Sequence, residues 1–203
     1  MDGFNLYYGY LKSSLYKWLD LKKLFVDLLD ESHEIVAIKY FTAYISSRAG
    51  NEESRLRQRY YLQAIKAFTP ELKIYHGHYL THPVKAKVVN SPPEFIQVYK
   101  TEEKGSDVNL ALHILNDAWL KAYDCAVLVS NDSDLAEALK MVKAQHKFNI
   151  GLIFPNTDAK RHPSHQLTQH ADFVKRIRPG ALAKAQLPKQ IPGTEITKPA
   201  AWC

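Results

Sequence analysis

Apolar and polar positions along this chain follow two rhythms, and the switches between them mark its elements. Leu21, Leu24, Phe25, Leu28 and Leu29 recur at helical spacing within residues 15–29, with Asp20 as an N-cap. Residues 34–45 contain IVAIKYFTAYI, a β-branched and aromatic run that reads as a strand. A loop, SSRAGNEE, leads to Asn51 as the cap of a second helix, whose Leu56, Tyr60, Tyr61, Ala64, Ile65 and Phe68 face the sheet and which Pro70 ends. Residues 72–80 read as a strand with Gly77 as a possible bulge. Residues 84–89 and 95–99 flank SPPE as a hairpin-like excursion or an ordered loop.

The second half repeats helix and strand at short spacing. Leu110, Ala111, Ile114, Leu115, Ala118 and Trp119 predict a helix with Asp107 in its first turn. Residues 125–129 are continuously apolar, as in a strand covered on both faces. A helix over 135–144, a strand over 148–154, a short helix in SHQLTQHA and a strand over 173–177 follow. This alternation predicts an α/β fold, a Rossmann-like open sheet, mainly parallel, with helices on both faces. From Pro179 the composition turns to Pro, Ala, Lys and Thr without periodicity. Residues 1–187 are therefore expected to form one domain, and 188–203 a disordered or partner-held tail.

Bulk properties change this picture little. With 203 residues, 46% hydrophobic and 24% charged, the chain is an ordinary globule by composition. No apolar run has the length of a membrane span, and no basic segment followed by an apolar stretch opens the chain, so no membrane partner and a cytoplasmic location are expected. Cys125 and Cys203 form no Cys-x-x-Cys pair. Location of the +6 net charge is more informative, because residues 1–159 are balanced at 19 basic against 19 acidic, whereas 160–203 carry 8 against 2. Such a segment suits a polyanion partner, or keeps a tail in solution.

Candidate chemistry gathers where strands end. Asp132 and Asp134 follow the apolar run 125–129 and its Ser130-Asn131, so they stand at the carboxyl edge of the sheet, the usual ligand crevice of such folds. They equally suit the cap of the next helix. Asp107 is favourable against its helix dipole in any case. The opening MDGFNLYYG would bring Asp2 and Asn5 to the same edge if a strand ended at Asp2, yet only Met1 precedes it. That first strand is either a two-residue stub or begins upstream. Lys160 and Arg161 follow a strand end and lie on the crevice rim. His76 and His78 share a strand face, but no third nitrogen or sulfur ligand accompanies them. Neither a Gly-x-Gly-x-x-Gly turn nor a P-loop is present, which speaks against a nucleotide-cofactor enzyme.

In this order, MDGFNLYYG, KGSDVNLAL, the strand with SNDSD and the strand ending IFPN resemble the NYN domain, a PIN-like ribonuclease family, and within it the bacterial LabA-like branch. The similarity runs from residue 1 to about 187. It implies an acidic crevice that binds Mg²⁺ or Mn²⁺ and cleaves RNA, single-stranded by expectation, as a metal-dependent endoribonuclease. On that resemblance Asp2, Asp107 and Asp132 are metal ligands, directly or through water, and Asp134 is a further catalytic acid. Asn5, Lys104, Ser130, Lys160 and Arg161 contact substrate or water. The alternative is a non-cleaving RNA-binding or scaffold protein on the same fold, and self-association into a homo-oligomer is open.

Overall fold

A computed structural model describes residues 1–45, 51–89, 93–156 and 161–202. Helix α1 (Gly3–Leu6) runs into a π-helical turn (Tyr7–Leu11), followed by α2 (Leu21–Leu28), β1 (Ile38–Thr42), α3 (Glu52–Phe68) and β2 (Leu72–His76). Strands β3 (His78–Lys87) and β4 (Phe95–Lys104) come next, then α4 (Ser106–Trp119) and β5 (Cys125–Val129). The chain continues through a 3₁₀ turn (Ser133–Leu135) into α5 (Ala136–His146), β6 (Asn149–Phe154), α6 (His165–Thr168), β7 (Phe173–Arg176) and α7 (Pro179–Lys184).

Strands β1 and β2 pair in parallel, as do β5, β6 and β7 in that order. Met1 and Asp2 join the two groups. The Phe41 amide donates to the Met1 carbonyl at 3.0 Å, and the Asp2 amide donates to the Val129 carbonyl at 3.0 Å. The stub thus lies between β1 and β5, and the spatial order is β2, β1, stub, β5, β6, β7. Alternation along the strands then divides the core. Ile38, Tyr40, Val129 and Ile153 pack with residues of α2, α3 and α7, whereas Phe41, Leu128, Ile150 and Leu152 pack with α4, α5 and α6. The result is the open parallel α/β sheet with helices on both faces that the sequence rhythm predicts.

Departures from that reading have local causes. The expected strand over 72–80 breaks at Gly77, where a Cβ would lie 2.1 Å from Glu103 Oε1 and 2.6 Å from the Lys104 carbonyl oxygen. Gly77 is therefore a corner that lets β4 pass close by, not a bulge. His76 stacks on Tyr44 at 4.3 Å, while His78 begins the hairpin, so the two do not share one strand. That hairpin is longer than expected, with ten facing pairs from His78 opposite Lys104 to Lys87 opposite Phe95. The helix read within 15–29 begins at Leu21 with Asp20 as its cap, as expected, and the Asp20 carboxylate accepts from the Lys23 amide at 3.0 Å. The glycine-punctuated opening is helical. Gly9 allows its close approach to the end of β6, since a Cβ there would meet the Pro155 carbonyl oxygen at 2.0 Å.

Residues 188–202, expected to be disordered or partner-held, lie against the core of their own chain. Trp18 is fully buried, and its indole donates to the Pro188 carbonyl at 2.8 Å. The Lys198 amide donates to Lys189 at 2.7 Å, the Ile191 amide to Ile196 at 2.9 Å, and Trp202 lies 6.2 Å from both Trp18 and Tyr61. Three isolated apolar side chains in a polar, proline-rich segment make no periodic pattern, so composition hides this docking. Parts of the loops read from sequence, including Lys160, fall outside the described residues.

Trp18 links α2, α3 and this C-terminal strap. Trp18→Ala is expected to cost about 3–5 kcal/mol, measured by urea unfolding, and to expose residues 188–202 to limited proteolysis. Unchanged protection of the strap in that variant would contradict the linkage.

Candidate active site

Asp2 is the hub of the carboxyl edge, although it is only 3% exposed. Its Oδ1 accepts from the Phe4 and Asn5 amides at 2.9 Å each, which caps α1. Its Oδ2 accepts from Asn5 Nδ2 and from Ser130 Oγ, the latter at 3.1 Å. Ser130 is fully buried at the end of β5, and its Oγ also accepts from the Asp132 amide at 3.1 Å. One hydroxyl therefore connects the first acid to the segment bearing the third and fourth. Asp132 is half-buried and its Oδ1 accepts from the Asp134 amide at 3.0 Å, so it does cap the next turn. Its other oxygen is left for the crevice, and Asp134 is exposed.

Asn5 extends the network, accepting from the Asn131 amide at 3.2 Å, while Asn131 Oδ1 accepts from the Ser164 amide at 2.7 Å. Two residues with chemistry were not apparent from the sequence. Asn131 reads there only as the end of a strand, yet it ties the loop before α6 to α1. Glu103 carried no signal, being one of two adjacent glutamates in a polar run. It nonetheless accepts from Ser106 Oγ at 2.6 Å and from the Ser106 amide at 3.2 Å, so it caps α4 and fixes the start of the helix that carries Asp107. Gly105 makes the turn between them, at φ +96°, in the left-handed region that suits glycine.

The other expected substrate contacts among the described residues have partners within the chain. Ser130 is closed to solvent and acts as a link between Asp2 and Asp132, because both faces of its hydroxyl are already bonded. Lys104 pairs with Glu102 at 3.2 Å on the hairpin. Arg161 is exposed, and its carbonyl accepts from Arg176 at 3.4 Å. Aromatic rings border the acids. Phe4 stacks on Tyr8 at 6.5 Å and meets the edge of Tyr79 at 6.1 Å, and Lys12 sits over Tyr8 at 5.3 Å.

Asp107 registers how closely the acids converge. Its carboxyl is pushed up to about 6, first by burial and then by the charges of Asp2, Asp132, Glu103 and Asp134. All of the donors are carboxylate oxygens, the type that hard divalent cations prefer, and a cation would relieve their repulsion. Among the described residues no three His, Cys, Asp or Glu side chains are disposed to grip an ion together. Mg²⁺ ordinarily keeps several waters, so this donor set fits a partly hydrated ion.

The raised Asp107 value makes a stability prediction with a definite sign. Its favourable contribution is complete below the unfolded value near 4 and is lost as pH rises through about 6. Asp107→Asn is therefore expected to be more stable than the parent above pH 6, with the difference vanishing below pH 4. The full shift corresponds to about 3 kcal/mol, and screening of a half-exposed group reduces this to about 1 kcal/mol. Thermal melts from pH 3.5 to 8 measure it, and an Asn variant less stable at pH 7 would refute it.

Comparison with known proteins agrees with this architecture. The family model described as NYN domain matches residues 1–175. The chain is 37% identical over 230 aligned residues to 6-hydroxy-3-succinoylpyridine 3-monooxygenase HspA of Pseudomonas putida, covering 100% of this chain and 73% of that protein. A crystal structure of a protein of unknown function from Vibrio parahaemolyticus superposes with a TM-score of 0.51 at 16% identity, covering 88% of this chain and 90% of that one, and so shares the fold. With a model match over most of its length and the acids at the carboxyl edge of a parallel sheet, this chain belongs to the NYN domain family, within the PIN-like nuclease superfamily.

Proposed function

We propose that this chain is a divalent-metal-dependent endoribonuclease acting on single-stranded RNA. The observation that carries the reading is the convergence on Asp107 of acids from separate segments: Asp2 from the stub, Glu103 from β4, and Asp132 and Asp134 from beyond β5. Negative charge concentrated on a crevice edge is unfavourable unless the site serves a cation. When bound, Mg²⁺ or Mn²⁺ supplies charge neutralisation at non-bridging phosphate oxygens and a more acidic water.

In this reading Asp107 and Asp132 present carboxylate oxygens to the ion. Asp2 contributes through water, because its own oxygens already hold Phe4, Asn5 and Ser130. Asp134, exposed and anchored through its amide, accepts the proton of the attacking water. Asn5 and Ser130 hold Asp2 and Asp132 in register, so the acids need no rearrangement when RNA arrives. Lys12 and the exposed rings of Tyr7 and Tyr8 offer a cation and stacking faces to the strand beside the scissile bond. No helix among the described residues is long and apolar enough to cross a membrane.

A second reading comes from the relative in Pseudomonas putida, whose name denotes hydroxylation of a pyridine acid. Identity of 37% across the whole chain favours it. Oxygen insertion needs dioxygen and an electron donor, and the sequence has no Gly-x-Gly-x-x-Gly turn to hold a dinucleotide.

The decisive assay is cleavage of end-labelled single-stranded RNA with Mn²⁺ or Mg²⁺, with a chelator control and Asp132→Asn. Cleavage should require the metal and fall at least about 100-fold in the variant. Turnover of 6-hydroxy-3-succinoylpyridine with dioxygen and reduced nicotinamide, and no RNA cleavage, would replace this reading with the second. In the absence of RNA, millimolar Mn²⁺ should raise the melting temperature of the parent and leave that of Asp107→Asn nearly unchanged. An equal rise in both would remove Asp107 from the ion site.

A further inference from the structure

The hairpin of β3 and β4 projects from the sheet and takes no part in either apolar core cluster. Its ten facing pairs place alternate residues on two unlike faces. One face carries Leu80, Val84, Ile96 and Val98, together with Lys100 and Lys104, both ion-paired to Glu102. The other begins at Tyr79 opposite Glu103 and continues through the hydroxyl pair Thr81 and Thr101, joined at 2.9 Å. It then presents Tyr99, Lys85, Lys87 and Phe95 to solvent, with Tyr99 76% and Phe95 53% exposed. Among the described residues neither Lys85 nor Lys87 is ion-paired, and past Glu103 no facing pair on this side contains a carboxylate.

This second face grows directly out of the acid site. Tyr79 meets Phe4, Phe4 stacks on Tyr8, and Glu103 both caps α4 and presses on Asp107. Exposed rings alternating with unpaired cations, along a line that starts at an acid crevice, complement a strand with stacked bases and repeated phosphates. We propose that the Tyr99 face of this hairpin is an arm that holds single-stranded RNA leading into the acid site. The proposal rests on the RNA reading above and adds where the rest of the strand lies. From Tyr79 to Lys87 the arm is ~27 Å long, the span of about eight stacked nucleotides at 3.4 Å each. The other face, apolar and charge-paired, has no such complement for a polyanion.

The test is binding of fluorescently labelled single-stranded RNA in chelator, measured by anisotropy with strands of roughly 4, 8 and 16 nucleotides. For the parent chain, affinity should rise with length to about eight nucleotides and then level. Tyr99→Ala should weaken binding of the longest strand about tenfold, with Tyr99→Phe restoring it, because stacking needs the ring and not the hydroxyl. Lys85→Ala with Lys87→Ala should lower the slope of log affinity against log salt by about 1.4, at about 0.7 for each phosphate no longer neutralised. Equal losses for short and long strands, or none, would overturn the arm. So would a hairpin whose variants change only the oligomeric state seen by light scattering, which would make it an interface between copies. Because binding is read without metal, the two readings separate. Length-dependent binding without any cleavage on adding Mn²⁺ would keep the arm and remove the nuclease, whereas cleavage indifferent to Tyr99 and the lysines would do the reverse.

Discussion

Everything at the carboxyl edge depends on how Asp2 is held. Its amide closes the ladder from the stub to β5, and its carboxylate takes four donors from α1, Asn5 and Ser130. Hydrogen bonds to an ionised acceptor contribute about 1.5–3 kcal/mol each, more than neutral ones. Removing this carboxylate would also leave the half-buried Phe4 and Asn5 amides and the proton of the buried Ser130 hydroxyl without an acceptor. One residue thus joins the two halves of the sheet through its amide and sets the spacing of the acids through its carboxylate. A small displacement of the stub would be felt as a change of site geometry and as a loss of sheet continuity together.

Opposed to that constraint is the repulsion registered at Asp107. The fold tolerates it because α4 is fixed at both sides of the acid: Glu103 and Ser106 close the cap before it, and Leu110 is buried one turn on. A site of this kind trades native stability for a place where positive charge is welcome. Lys12 lies over Tyr8, whose ring stacks on Phe4, the residue whose amide donates to Asp2, so a cation rests on an aromatic face beside the acids.

Much of the fold was legible because its signals are periodic. The continuous apolar strand 125–129, the helical spacing in α4 and the cap at Asp20 are local features with one structural outcome each. Asp132 and Asp134 were legible because they follow the apolar strand 125–129, whereas Asp107 read locally as a helix-dipole residue, was singled out by the family resemblance, and is brought beside them by the fold. What escaped was decided by interactions distant in sequence. Ser130 reads as a polar strand end, and only the approach of Asp2 across 128 positions makes it a closed link. Gly77 reads as a bulge because nothing local reveals that β4 passes beside it. The strap at 188–202 reads as disorder because docking by Ile191, Ile196 and Trp202 needs a groove built by Trp18 and Tyr61. Asp2 itself was visible as an acid, but its burial depends on two strands that the sequence places far apart.

The strap also bears on how the chain is made. The Trp18 indole and the Pro188 carbonyl that it bonds are 170 positions apart. At ordinary rates of synthesis, about 5–20 residues per second, the tryptophan waits for its acceptor for on the order of 10–30 s. During that interval the face of the sheet under α2 and α3 has an open apolar groove on a nascent protein. The parallel strands can pair before then, but this layer closes only once residues 188–202 have emerged. A chain stalled before residue 188 would therefore present that groove to chaperones and proteases, even though every acid of the crevice has already been synthesised.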